Sequence, residues 1–354
     1  MSRFFSSKYS SLEPYVPGEQ PRDSVYIKLN TNESPFPPSP KAAAAAAEAA
    51  RSLQLYSDPE CRALREQFSR VFGVGEDQVI FSNGSDEILY YIFLAFCDGA
   101  VGVAYPVLSY GFYPVYAEFT GVSALEIPLR EDFSIAPEDY FRLGRTVIIA
   151  NPNAPTGLAL SRAQIEDVLR ENPDNVVAVD EAYVDFGAES CLPLIDKYDN
   201  LLVVQTFSKS RSMAGARLGF AAGNAALIAD LNAVKYSINP YNINSMTMAA
   251  GIGALADEDY TRSCCAAVAG NRDYTVSALR ELGFFVTDSK ANFVFARHPS
   301  VDGETLYREL RARGVLIRHF SREDIRDFNR ITIGTREQMD ILLEKIREIL
   351  EETK

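Results

Sequence analysis

Histidine is nearly missing from this chain of 354 residues, which holds only His298 and His319. A Ser-His-Asp hydrolase or a histidine-rich metal centre would have little to work with. The proton carrier of any enzyme chemistry is therefore expected to be lysine, tyrosine or a carboxylate. Cysteine is scarce and unpatterned. Cys61, Cys97, Cys191, Cys264 and Cys265 are odd in number and contain no CxxC pair, which excludes a disulfide framework and a zinc site. Reduced thiols in the cytoplasm are the simplest reading, and no metal is expected. Positive charge is also in short supply. Thirty-five Lys and Arg face 48 Asp and Glu, for a net charge of −13. That balance argues against nucleic acid or an anionic membrane as partner. Any anion site must be a local arginine cluster held against the global field. No apolar run is long enough to span a bilayer, and MSRFFSSKYSSLEPYVPGEQ lacks the apolar core of a signal peptide.

What is present is an ordinary globular balance, 47% hydrophobic and 23% charged. The length suits one large or two medium domains. Residues 1–40 are polar and proline-rich, ending in NTNESPFPPSP, and read as an ordered arm. From KAAAAAAEAARSL onward, helical stretches alternate with short apolar runs such as VIFS, GVAYP, TVIIA, VVAVD, LLVVQT and LGFAAG. That alternation predicts an α/β fold: a mainly parallel sheet between two helical layers, spanning residues 41–240. Residues 241–354 read as a smaller α+β domain, with the arm packing onto it.

Ligands of such sheets bind at the carboxyl ends of the strands, and chemistry is concentrated there. VIF leads into Gly84, Ser85 and Asp86 at a helix start, where backbone N–H groups favour a phosphate. GVA leads to Tyr110, an aromatic face for a ring. TVIIA leads to NPNAPTG with Asn153, VVAV to Asp180 and Tyr183, and LLVVQ to Thr206, Ser208 and Lys209, with Arg217 beyond. Ser208 and Arg217 complete a phosphate site, and Lys209 is an amine suited to a Schiff base. Asp180 is a carboxylate that needs a cation, such as a protonated pyridine nitrogen, while Asn153 and Tyr183 can bond a phenolate oxygen. Together they describe a site for pyridoxal 5′-phosphate (PLP). Arg211, in the same SKSRSMAGARLGF stretch, reads only as a solvated charge.

NPNAPTG, DEAYVDF, SKSRSMAGARLGF and RITIG, in this order, resemble the fold-type I, aspartate-aminotransferase-like PLP enzymes. LNTNESPF, LYSDPECRALR, SNGSDEIL, YPVLSYGFY and RITIGTREQ are most similar to the histidinol-phosphate aminotransferases. The resemblance implies that Lys209, Asp180 and Tyr183 are catalytic, with Lys209 binding the cofactor aldehyde and carrying the substrate proton. It implies that Gly84, Ser85, Asp86, Tyr110, Asn153, Thr206, Ser208 and Arg217 hold the cofactor. Tyr56 would reach the cofactor phosphate of a second subunit, which implies a homodimer with shared sites. Tyr15, Asn32, Arg318 and Arg330 would bind small-molecule substrates: a phosphorylated amino alcohol, L-histidinol phosphate, and 2-oxoglutarate. Arg322 and Arg326 lie between the two expected arginines and compete with them for a place at the substrate. Close alternatives are an L-threonine-O-3-phosphate decarboxylase and an aromatic or broad-specificity aminotransferase. GIGALA at residues 251–256 fits the dinucleotide pattern G-x-G-x-x-A, but it follows no strand, so close helix packing is expected instead.

Overall fold

The computed structural model describes residues 2–10, 12–21 and 24–353. A seven-stranded sheet forms its centre, in the order Val79–Ser82, Gly219–Gly223, Leu201–Thr206, Val177–Asp180, Thr146–Ala150, Val103–Pro106 and Ala124–Ile127. The last five pair parallel to one another. Gly219–Gly223 runs antiparallel to both of its neighbours. The expected mainly parallel sheet is present, with one reversed strand.

The central strands are apolar throughout because both faces are covered. Val147, Ile149, Val177 and Val179 join the core on one face, and Ile148, Ala150 and Ala178 the core on the other. That is the two-residue alternation of a strand, here with helices on both sides. Ser82, Pro106, Ala150, Asp180 and Thr206 all end strands on one edge of the sheet. The site forms along that edge.

The smaller unit has an antiparallel sheet in the order Arg318–His319, Asn329–Thr332, Phe293–Arg297 and Phe285–Val286. Helices Glu258–Glu281, Gly303–Ala312 and Arg336–Glu352 close its core. Arm residues Ile27–Lys28 pair in parallel with Val315–Leu316, so the arm packs onto this unit. Arg272, buried on the long helix, donates to the carbonyls of Phe186 (2.7 Å) and Ala291 (3.0 Å) and ties the unit to the large sheet.

Helix Ser245–Leu255 lies on the other side of the expected boundary at residue 240. Ala250, Ala254 and Leu255 sit in the core of the large sheet. A Cβ at Gly253 would stand 2.5 Å from the Lys41 carbonyl oxygen of helix Pro40–Ala49. The glycines of GIGALA therefore serve close helix packing, and we place the domain division after Leu255. Gly253→Ala should lower stability by about 1–3 kcal/mol through overpacking, although alanine favours a helix over glycine by about 1 kcal/mol. A lower urea midpoint at unchanged m-value would show it; a raised midpoint would refute the close packing.

Candidate active site

Two adjoining hollows, of about 400 and 380 Å³, lie along the strand-end edge. They share Thr31, Tyr110, Ala154, Tyr183 and Lys209. The inner one is lined by Ser85, Asp86, Asp180, Thr206, Ser208 and Arg217, and the outer one by Tyr15, Asn32, Arg318 and Arg330. Most of the residues singled out in the sequence therefore meet in one place, with Lys209 at the junction.

The inner hollow is a cradle for an anion. Helix Ser85–Phe96 starts at Gly84, which has φ +84° and offers no capping side chain. Its first backbone N–H groups are thus left for a ligand. A Cβ on Gly84 would come within 2.5 Å of the Arg217 guanidinium, so glycine is needed there both for its dihedral and for space. Arg217 donates to Ser208 Oγ (3.3 Å) and to Asp86 Oδ2 (3.0 Å). Thr206 Oγ1 donates to Ser208 Oγ at 2.9 Å. The Tyr110 hydroxyl donates to Asp86 Oδ1 at 2.7 Å, which fixes its ring over the hollow.

Asp180 is only 5% exposed. Burial pushes its carboxyl up to about 6, against hydrogen bonds that favour the charged form. Those come from the Tyr113 hydroxyl (2.8 Å) and the Ala182 N–H (3.2 Å). Tyr113 escaped the sequence reading, being one aromatic of several in YGFYPVY. Its spacing holds the clue: Tyr110, Tyr113 and Tyr116 are three apart at a helix start and turn to one side. Tyr116 donates to the Asp86 carbonyl at 2.9 Å.

Lys209 lies 5.7 Å from the Tyr183 ring centre and donates to the Thr31 carbonyl at 3.2 Å. Burial first, and then the Arg330 charge, lower its pKa from 10.5 to about 8. That leaves about a tenth of the amine neutral at pH 7, enough for it to serve as a nucleophile and a base. The loop that carries it is anchored by Arg211, which is 6% exposed, pairs with Glu258 at 2.8 Å and lies over the Phe207 ring. The expectation of a solvated charge is corrected: this arginine is a buried strut, because two acids on neighbouring segments, Glu258 and Asp185, neutralise it.

In the outer hollow, Arg330 donates to the Asn30 carbonyl (3.0 Å) and lies over the rings of Phe293 and Phe320. Its Nε is buried and has no partner among the described residues. Neither Arg330 nor Arg318 makes an ion pair among the described residues. Arg322 also lines the hollow, but bonds Asp324 (2.8 Å) and the Val107 carbonyl (2.7 Å). Arg326 is exposed and lies outside the lining. Asn32 donates to the Tyr183 hydroxyl at 3.0 Å.

Two expected residues stand apart. The Asn153 amide lies behind the wall, donating to the Leu108 carbonyl (2.9 Å) and accepting from Ser109 Oγ (2.7 Å). Tyr56 is 85% exposed, stacks on Tyr241 at 4.7 Å and does not line the hollows of its own chain.

A phosphate cradle, a carboxylate awaiting a cationic ring atom and a lysine of lowered pKa define a site of the aminotransferase kind. The profile of the family described as aminotransferase class I and II matches residues 24–346, and the chain belongs to that family. Its architecture is the aspartate-aminotransferase-like fold type I. It is similar to the histidinol-phosphate aminotransferase of Brachyspira hyodysenteriae, with 48% identity over 352 residues that cover 99% of each chain. The Acinetobacter baumannii protein of that name is 48% identical over 350 residues, 98% of this chain and 97% of the other. The solved histidinol-phosphate aminotransferase of Sinorhizobium meliloti, in complex with pyridoxal-5′-phosphate, superposes with a TM-score of 0.88 at 23% identity, covering 99% of each chain.

Because Lys209 loses its proton near pH 8 when folded and near 10.5 when unfolded, the unfolded chain holds more protons between those values. This residue therefore makes the ligand-free protein more stable as pH rises from about 8 to 10.5. The difference in urea midpoint between wild type and Lys209→Ala should shift toward the wild type across that window. A difference independent of pH would show that the lysine is not perturbed.

Proposed function

We propose that this chain transaminates L-histidinol phosphate against 2-oxoglutarate, using PLP. The observation that carries the reading is the pair Arg318 and Arg330, which make no ion pair among the described residues and line the hollow that opens on Lys209. A partly buried guanidinium whose Nε has no partner among the described residues favours an anionic ligand. A phosphate ester and a carboxylate both supply one, in turn, at the same place.

The residues present fit PLP. The helix start at Ser85, together with Ser208 and Arg217, would hold its phosphate, the latter two by charge-assisted and hydroxyl hydrogen bonds. Asp180 would take the protonated ring nitrogen, and that cation would pull its carboxyl back toward the charged form. Tyr110 would face the ring, and Tyr183 would bond the ring hydroxyl oxygen. Bound PLP supplies an electron sink for the carbon that carries the amine. The protein supplies the rest. Lys209 Nζ is the base that lifts the proton from that carbon and returns it on the other side of the exchange. Arg330 and Arg318 orient the substrate so that this carbon lies by Lys209.

We assign Tyr56 to the site of a second copy. It is almost fully exposed, and Tyr241 holds it in place by stacking. Sedimentation of the PLP-loaded protein tests the homodimer, with a monomer of full activity as the refuting result.

A half-reaction screen tests the substrate. Histidinol phosphate and glutamate should each convert the visible band of bound PLP to that of the amine form. Carbon dioxide release from phosphothreonine, without conversion by glutamate, would instead support the decarboxylase, and preference for phenylalanine or tyrosine the aromatic enzyme. Arg330→Ala should raise KM for both histidinol phosphate and 2-oxoglutarate. Loss of one charged hydrogen bond costs about 1.5–3 kcal/mol, or about 10- to 100-fold. A rise for only one of the two would refute the shared use of Arg330.

A further inference from the structure

A hydrogen-bonded path leads from Arg330 out to the N-terminal arm. Arg330 donates to the Asn30 carbonyl at 3.0 Å, and the Asn30 side chain donates to the Glu19 carbonyl at 2.9 Å. The Glu19 carboxylate is in turn gripped by helix Gly303–Ala312 of the small unit. Tyr307 donates its hydroxyl to Oε1 at 2.5 Å, and Arg311 donates Nε to Oε2 at 3.2 Å. Burial and this carboxylate push the Tyr307 hydroxyl up to about 12, so it remains a donor.

Four residues before Glu19, the arm has crossed to the other unit. Tyr15 stacks on Phe112, with ring centres 4.2 Å apart and planes 25° apart. Phe112 opens helix Phe112–Thr120 of the large unit. Tyr15 and Gly18 both line the outer hollow. Residues 15–19 thus form a strap, tied to the small unit at one end and to the large unit at the other.

We infer that Glu19 is a positioning residue for substrate binding: its grip on Tyr307 and Arg311 holds Tyr15 against Phe112 as a wall of the substrate hollow. A solvent-exposed ion pair does little on its own. Here three contacts converge on one partly buried residue, and one of them continues to the arginine that binds substrate. An arm without this latch must be ordered each time substrate binds, and the entropy lost then weakens affinity. The chemistry at Lys209 is untouched, so the effect falls on KM. The identity of the substrate rests on the function proposed above; the latch itself does not.

The chain contains no tryptophan, so Tyr15→Trp provides a single fluorescent reporter on the strap. In the PLP-loaded protein carrying that change, Glu19→Ala should move emission to the red and increase quenching by acrylamide, before any substrate is added. The pair Tyr307→Phe with Arg311→Ala should do the same from the other side. In the otherwise wild-type holoenzyme, Glu19→Ala should raise KM for histidinol phosphate about tenfold, equivalent to about 1.4 kcal/mol. The band of bound PLP should be retained and kcat should stay within about twofold. Glu19→Gln keeps one accepting oxygen for Arg311, and its amide N–H can donate to the Tyr307 hydroxyl oxygen, so it should recover part of the loss. Unchanged emission, or a loss of kcat at unchanged KM, overturns the inference. If wild-type protein does not convert histidinol phosphate, the substrate assignment fails, and the emission measurements still decide the latch.

Discussion

Arg330 holds a partly buried guanidinium that pairs with no carboxylate among the described residues, and much of the site is arranged around that charge. Leaving such a group unpaired is costly in a low-dielectric interior. The protein offsets part of the cost with the Asn30 carbonyl and the faces of Phe293 and Phe320. The Arg330 Nε has no partner among the described residues, and an anion bound there would supply one. The same guanidinium charge helps lower the pKa of Lys209, so an anion bound at Arg330 would raise it again. In a chain with net charge −13, this local excess of positive charge has to be walled off. The strap over the outer hollow and the aromatic rings beside it do that.

Asp180 and Lys209 are matched in the opposite sense. Burial raises one toward neutrality and lowers the other toward neutrality. In the proposed function a cationic ring atom would hold Asp180 in its charged form, and the neutral amine of Lys209 would be the form that reacts with an aldehyde. Tyr113 limits how far Asp180 drifts, since its hydroxyl favours the carboxylate. Paired perturbations of this kind mark functional sites more sharply than either shift alone.

The core strands and the inner site were legible in the sequence because each reactive residue follows a β-branched run, and strand ends in such a sheet converge on one edge. Asp180, Lys209, Ser208 and Arg217 were visible for that reason. The reversed strand Gly219–Gly223 was not, since GFAAG is too short and small to signal direction. Helix Ser245–Leu255, whose Ala250, Ala254 and Leu255 join the core of the large sheet, was hard to assign because alanine and glycine lie on every side of it. Without an apolar stripe, its sequence does not say which partner it packs on. Arg211 was misread because its acids, Asp185 and Glu258, are 26 and 47 residues away in sequence.

The strap was illegible for the same reason of distance, and it explains the form of the arm. A proline-rich segment has few conformations to lose and no helix to form, so a small number of contacts can fix it. Glu19 and Asn30 provide those contacts on the small unit, and Tyr15 reaches the large one. A segment pinned at both ends while lining the hollow makes the relative position of the two units part of the binding site. The arm thus adds a wall to a cleft between two folded units, and the charges of Arg318, Arg330 and Lys209 face the same hollow.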